Sequence, residues 1–343
     1  MTGVSLLWAL RSPCNLGCRY CYFGTIEDHR DAPPQQPGVL SHLSRGDLTL
    51  TDISAFADSL PGSRVERIFI AGGEPLIWPP VMDLVAAIKA AGVQVVLCTN
   101  GIPLNRPHIV DRILATNVDA VSVSLDSTDA LYNDTWRPAR NGLHGHSDIL
   151  DGIRALLKAR GQQAAPRVGI YTVITRLNID AVTTVAELAD DLGCDYFVPQ
   201  PIALDSGHPL HGELSLTPVD APAVRAALDQ LHTRPAPQVP APTYTGKVIE
   251  AISDTKPRVA HACFGGTDLF FIQPDGSVWD CPSSLKIAAT PPVAHRSIRG
   301  TTATELFGHA GCRADCRLFS RDCVNMWPLM DFGTFLPPVR PQP

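Results

Sequence analysis

Six short apolar runs, each followed by a stretch of helical periodicity, constrain this chain more than any other feature. The strand signals fall at residues 4–10, 67–71, 94–99, 120–125, 168–175 and 196–200. They are short and mostly apolar, as expected when both faces of a parallel sheet are covered. Helical stretches lie between them at 51–60, 80–91, 109–115, 147–160 and 179–192. Thr51 and Asp52 suit an N-cap and first turn. Val81, Leu84, Val85 and Ile88 mark an apolar helix face that Gly92 is placed to end, and Gly161 and Gly193 close the last two helices. Repeated right-handed βα crossovers of this kind predict an α/β fold, an open partial (β/α)6 TIM-like barrel.

A further helix is expected over 217–232, followed by the proline-rich stretch 233–243. We expect a barrel over residues 1–233, a stiff connector over 234–243, a small cysteine-rich domain over 244–335 and a frayed tail over 336–343. Residues 25–47, with Pro33, Pro34 and Pro37, form a long irregular segment expected to act as a lid or substrate-facing loop.

The chain has 343 residues, with 28 basic and 34 acidic side chains and a net charge of −6. That balance leaves no electrostatic footprint for nucleic acid or an anionic membrane. The run at 4–10 is too short to span a bilayer and lacks a basic leader. Ten cysteines without an export signal point to a reducing cytoplasm and to metal ligation rather than disulfides.

Three of those cysteines stand as Cys14-Asn15-Leu16-Gly17-Cys18-Arg19-Tyr20-Cys21. Thiolates at this C-x3-C-x2-C spacing can hold three corners of a [4Fe–4S] cube and leave the fourth iron open, which means chemistry rather than structure. Zinc would need a fourth ligand nearby. No cysteine follows until Cys98, and His29 and His42 sit in the irregular segment. Further on, Gly72-Gly73-Glu74-Pro75 ends the second strand, Thr99-Asn100-Gly101 ends the third, and Ser122, Ser124 and Asp126 alternate along the fourth and so face one way.

The cysteine triplet matches the signature of the radical SAM superfamily in every position, and the later motifs arrive in that family's order. The resemblance implies that S-adenosylmethionine chelates the open iron through its amino and carboxylate groups. One electron from the cluster then releases a 5′-deoxyadenosyl radical. Gly72, Gly73, Glu74 and Pro75 resemble the motif that contacts the methionine amino group. Thr99 and Asn100 would line the cofactor site, and Ser122, Ser124 and Asp126 would meet ribose hydroxyls or the amino group. Arg137 resembles the arginine that pairs with the methionine carboxylate, although Pro138-Ala139 departs from the family's usual Ile-Arg-Gly. Thr172, Asn178 and Val198 stand where the family contacts adenosine.

Five more cysteines, Cys263, Cys281, Cys312, Cys316 and Cys323, follow the proline-rich stretch. Asp275-Gly276 between apolar residues is a hairpin signal. A hairpin with a cysteine before it and another at its end resembles the start of the SPASM and twitch auxiliary-cluster domains, and Ile298-Arg299-Gly300 with residues 304–307 resembles their short helix. A full SPASM domain carries about seven cysteines. Five favour a single auxiliary [4Fe–4S] centre on Cys263, Cys281, Cys316 and Cys323, with Cys312 as the competing ligand. Zinc stays an alternative for this group. Cys98 and Cys194, in or beside buried strands, are expected in the core.

The resemblance implies an oxidoreductase- or transferase-type enzyme that abstracts a hydrogen atom from an unactivated C–H bond, with an electron donor such as flavodoxin or ferredoxin. The expected substrate is a sugar- or nucleoside-type intermediate of natural-product or antibiotic biosynthesis, because no peptide-recognition domain precedes residue 14. Maturation of a ribosomal peptide by crosslinking or epimerisation is the alternative. A non-catalytic iron–sulfur or zinc protein is the reading of another class.

Overall fold

The computed structural model describes residues 3–22, 46–140, 144–253, 259–309 and 311–336. Most of the segment expected as a lid (25–45) and the tail beyond residue 336 lie outside the described residues.

The first six strands are β1 (Val4–Arg11), β2 (Val65–Gly72), β3 (Gln94–Thr99), β4 (Ala120–Ser124), β5 (Arg167–Ile174) and β6 (Tyr196–Pro201). Each pairs parallel with the next, in sequence order. The helices between them are α1 (Leu50–Asp58), α2 (Val81–Ala90), α3 (Pro107–Ala115), α4 (Ala130–Trp136), α5 (Gly145–Arg160) and α6 (Ala181–Leu192). The open (β/α)6 arrangement expected from the periodicity is therefore the observed one. α1 starts earlier than its pattern implied. Thr49, not Thr51, is the N-cap, and it forms a capping box with Asp52. α4 carried no clear periodic signal, and its C-cap is Arg137.

After the short α7 (His211–Leu214) come α8 (Ala221–Leu231) and α9 (Pro242–Ser253). The proline-rich stretch between α8 and α9 is tied to the barrel edge, not free-standing. Phe197 N–H donates to the Gln238 carbonyl at 2.8 Å, and Gln238 N–H donates to Asp195 at 3.1 Å.

The sheet continues across the boundary expected at 234–243. β7 (Ala260–Cys263) is followed by β8 (Leu269–Ile272), β9 (Ser277–Trp279), α10 (Ser284–Ala289) and β10 (Arg296–Ser297). β8 pairs parallel with β1, and β9 and β10 follow antiparallel, giving one nine-stranded sheet. The β8–β9 pair is the hairpin expected at Asp275-Gly276, with Gly276 at a φ of +89°. The chain then runs through α11 (Ala303–Phe307), β11 (Ala314–Cys316), which pairs with β7, and α12 (Arg321–Met330).

Two apolar layers cover the sheet. The outer one is the helix face. The inner one fills the barrel and is completed by the C-terminal segment, where Met326, Leu329, Phe332 and Phe335 pack on Leu7, Phe69, Tyr196 and Val198. Phe332 meets Phe69 edge-on at 5.1 Å and Phe335 stacks on Tyr196 at 5.1 Å. The floor of the open barrel is thus supplied from the far end of the sequence.

Candidate active site

A cavity of about 280 Å³ opens at the C-terminal ends of the barrel strands, where catalytic groups of such barrels collect. It is far larger than the roughly 10–15 Å³ that one water needs, so it is no packing defect.

Cys14, Cys18 and Cys21 all line it, on the loop after β1. On one side of the loop, Gly73 N–H donates to the Arg11 carbonyl at 2.7 Å and Glu74 N–H to the Pro13 carbonyl at 2.9 Å. A Cβ on Gly72 would lie 2.6 Å from the Arg11 oxygen, and one on Gly73 would lie 2.2 Å from that of Pro13. The glycine pair was expected to admit a ligand. What it first admits is the backbone of the cysteine loop itself. On the other side, Gly17 N–H donates to Pro138 at 2.8 Å, Arg19 N–H to Trp136 at 2.9 Å and Arg140 N–H to Asn15 at 3.0 Å. At the loop's start, Asp47 holds Ser12 Oγ at 2.6 Å and pairs with Arg11 at 3.0 Å.

Burial pushes the Cys14 thiol up to about 12, with Glu74 adding to the shift. Burial also raises Cys18, against the opposing charge and hydrogen bond of Arg137. Such thiols hold their protons until a cation replaces them. Leu16 N–H points at Cys14 Sγ from 3.4 Å and Asn100 Nδ2 approaches it at 3.9 Å. Three thiols of one loop facing one cavity, with amide donors and a guanidinium beside them, fit a thiolate-held cluster with one corner left for another ligand.

Glu74 is 1 % exposed, and its carboxylate is engaged by the protein. It accepts from Leu76 N–H at 3.0 Å, Thr99 Oγ1 at 2.8 Å and Asn100 N–H at 2.7 Å. Expected beside the cofactor's ammonium, its side chain instead locks the Thr99-Asn100 turn, and neither Glu74 nor Pro75 lines the cavity. Gly72, Gly73, Thr99, Asn100, Ser122, Ser124, Asp126 and Arg137 do. Asn100 is further fixed by Asn15, at 2.7 Å. Asp126 accepts from Tyr20 Oη at 2.6 Å and from Val173 N–H at 2.7 Å. Arg137 stands 3.4 Å from Asp126 and is 4 % exposed. Burial works against its charge, but Asp126 and the Cys18 thiol more than offset this and hold it above the usual arginine value.

Three expected adenosine positions do not line the cavity. In the β4–β5–β6 register Ser122 lies beside Gly169, Ser124 beside Tyr171, Tyr171 beside Val198 and Val173 beside Gln200. Neighbours in register share a face, so Tyr171 and Val173 point inward and Thr172 outward. Thr172 Oγ1 donates to the Leu125 carbonyl at 2.7 Å. Val198 faces inward but one layer too low, in the inner core. Asn178 braces the site from behind, donating to the carbonyls of Asp126 and Val173 at 2.8 and 2.9 Å. The lining residues that sequence reasoning missed include Tyr171, Val173, Gln200, Asn325, Met326 and Leu329. Anchoring the alternation on Ser122 and Ser124 and carrying it across the register would have found the first three. Nothing local marks the last three. Cys194 is core, as expected, whereas Cys98 faces the cavity.

In the second cysteine group, Cys263 lies on β7, Cys316 on β11 opposite, Cys281 just after β9 and Cys323 in the first turn of α12. Burial pushes Cys281 up, with Cys323, Cys263 and Cys316 adding to the shift. A Cβ on Gly265 would lie 3.3 Å from Cys281 Cβ and 3.5 Å from Cys263 Sγ, which sets those two cysteines side by side. Cys312 is exposed, whereas the other four are partly buried. Gly265 N–H points at Cys263 Sγ and Ser320 N–H at Cys323 Sγ, each from 3.4 Å. Among the described residues no three His, Cys, Asp or Glu are placed to hold a single metal ion.

The site is thus a partial barrel with a three-cysteine loop at its mouth. Residues 13–189 match the radical SAM superfamily, and the chain belongs to it. Among curated relatives, an AdoMet-dependent heme synthase of Methanosarcina barkeri is 31% identical over 189 residues, 55% of this chain and 47% of that protein. The mycofactocin maturase MftC of Mycobacterium ulcerans is 32% identical over 55% of this chain and 45% of its own. The chain spans about half the length of the curated relatives it matches. In fold it is similar to anSMEcpe with bound AdoMet, with a TM-score of 0.64 at 17% identity over 97% of this chain and 98% of that one. It is also similar to Streptococcus suis SuiB bound to S-adenosylmethionine, with a TM-score of 0.62 at 13% identity over 88% and 64% of the two chains. No helix among the described residues is long and apolar enough to cross a membrane.

Proposed function

We propose that this chain binds a [4Fe–4S] cluster on Cys14, Cys18 and Cys21, binds S-adenosylmethionine against it, and directs hydrogen-atom abstraction from an organic substrate in the same cavity. The observation that carries this reading is the convergence of the three thiols, the Gly72-Gly73 turn, the Thr99-Asn100 turn and Arg137 on one cavity. When bound, cluster and cofactor supply a one-electron donor and a 5′-deoxyadenosyl radical; the chain supplies position and dryness.

Arg137 is the cation for the methionine carboxylate. Its 3.4 Å separation from Asp126 is long for a charge-assisted bond, and a guanidinium has donors to spare for a second, bidentate partner. The backbone of Gly72 and Gly73 offers acceptors for the ammonium, since Glu74 is engaged elsewhere. Ser122, Ser124 and Asp126 face the ribose side. Leu16 and Val173 exclude water.

In this reading Cys263, Cys281, Cys316 and Cys323 would hold an auxiliary [4Fe–4S] centre, which would supply a one-electron acceptor or an anchor for the substrate. A flavodoxin or ferredoxin would be the electron donor to a cluster held by Cys14, Cys18 and Cys21. Leu7, Ala71, Met326 and Leu329 give the far half of the cavity an apolar wall, which suits a peptide-type substrate better than a sugar bearing a hydroxyl on most carbons. The test is anaerobic reconstitution with dithionite and S-adenosylmethionine. The expected result is 5′-deoxyadenosine; its absence from protein loaded with iron and sulfide refutes the reading.

A further inference from the structure

Two side-chain atoms of residues that line the cavity are buried and have no hydrogen-bond partner: Asn325 Oδ1 and the Tyr171 hydroxyl. Both residues line the cavity, and Asn325 is 9 % exposed. The amide of Asn325 cannot turn to relieve this. Its Nδ2 donates to the Pro201 carbonyl at 3.0 Å, and a flip would set Oδ1 against that oxygen. Its own backbone carbonyl is held by Gln200 Nε2 at 3.0 Å. Asn325, Met326 and Leu329 share one face of α12 and are presented together. A buried acceptor left without a donor is costly, and folded chains keep few of them.

We propose that Asn325 and Tyr171 form a recognition site for a secondary amide of the substrate. Asn325 Oδ1 accepts its N–H, the Tyr171 hydroxyl donates to its carbonyl oxygen, and Met326 and Leu329 pack on the flanking aliphatic carbons. One donor and one acceptor in an apolar frame is what a peptide unit offers. A sugar in this half of the cavity would leave hydroxyls unpaired against Met326 and Leu329. This inference rests on the radical SAM reading of the cavity and names the substrate class for it.

The probe is N-acetyl-L-leucine N-methylamide, titrated by saturation-transfer NMR into anaerobically reconstituted protein, with and without S-adenosylmethionine. Saturable binding is expected, with none for the analogue methylated on both nitrogens, which has no N–H. Asn325→Leu should abolish binding and Tyr171→Phe should weaken it about tenfold, the worth of one hydrogen bond, with cofactor affinity unchanged in both. The Tyr171 hydroxyl makes no bond within the fold, so that variant keeps the test open where Asn325→Leu does not fold. The proposal is overturned by no binding to the wild type, by equal binding of the methylated analogue or of methyl glucoside, or by wild-type binding in Tyr171→Phe. A tenfold loss of cofactor affinity in Tyr171→Phe also overturns it, by assigning the site to the cofactor. A wild type that takes up the amide but never binds or cleaves S-adenosylmethionine instead refutes the functional reading beneath it.

Discussion

The phenol of Tyr22 donates to the carbonyl of Pro282 at 2.9 Å, so the residue after the third N-terminal cysteine touches the residue after Cys281. This hydrogen bond joins the two cysteine groups, which are far apart in sequence. Tyr22→Phe should lower unfolding stability by about 1 kcal/mol, the net worth of such a bond, while iron content stays at the wild-type level. Denaturant midpoints and iron analysis check this. An unchanged midpoint would show that the two loops are held together by other means.

Iron content separates the two metal groups. Reconstituted wild type should carry about eight irons, two cubes' worth, and Cys281→Ala should retain about four while still cleaving S-adenosylmethionine. Cys312→Ala should match the wild type, because Cys312 is exposed whereas the other four cysteines of the group are partly buried. Loss of iron on replacing Cys312 would make it a ligand in place of one of the four.

Cys18→Ala should abolish 5′-deoxyadenosine formation and leave the auxiliary irons in place. Measurable cleavage in that variant would mean that the cavity works without the N-terminal thiols.

Arg137→Lys keeps the charge and loses the fork. It should weaken S-adenosylmethionine binding about 10- to 100-fold, one to two charge-assisted bonds, at unchanged iron content. Equilibrium binding to the reconstituted protein measures it. Wild-type affinity would move the carboxylate contact to another residue.

Glu74 gives a pH dependence with a definite sign. Burial pushes its carboxyl from 4.5 up to about 7, against the donors at Asn100, Leu76 and Thr99. The folded chain therefore keeps this proton to higher pH than the unfolded one. The Glu74 contribution to stability falls as pH rises from about 4.5 to 7 and is level above that. Glu74→Gln removes the titration, so wild-type stability minus variant stability should fall from pH 5 to pH 8 in paired denaturant curves. A rise in that quantity would show that the three donors outweigh burial.

The order of βα units, the hairpin at Asp275-Gly276 and the loop of Cys14, Cys18 and Cys21 could be read from local pattern, because each depends on residues close together in the chain. The glycine pair at 72–73 was legible as a close approach, but not what it approaches. Which face of β5 looks inward was not legible. Thr172 and Tyr171 sit equally well in an isolated strand, and only pairing with β4 and β6 chooses between them. The same holds for the inner wall of the cavity. Asn325, Met326 and Leu329 reach it because α12 returns to fill a barrel begun some three hundred residues earlier. The sequence by itself determined the local elements and the chemistry available to them. Tertiary structure decided which side chains meet, since strand register and the docking of a distant helix are set by burial across the whole sheet, not by any window of the chain.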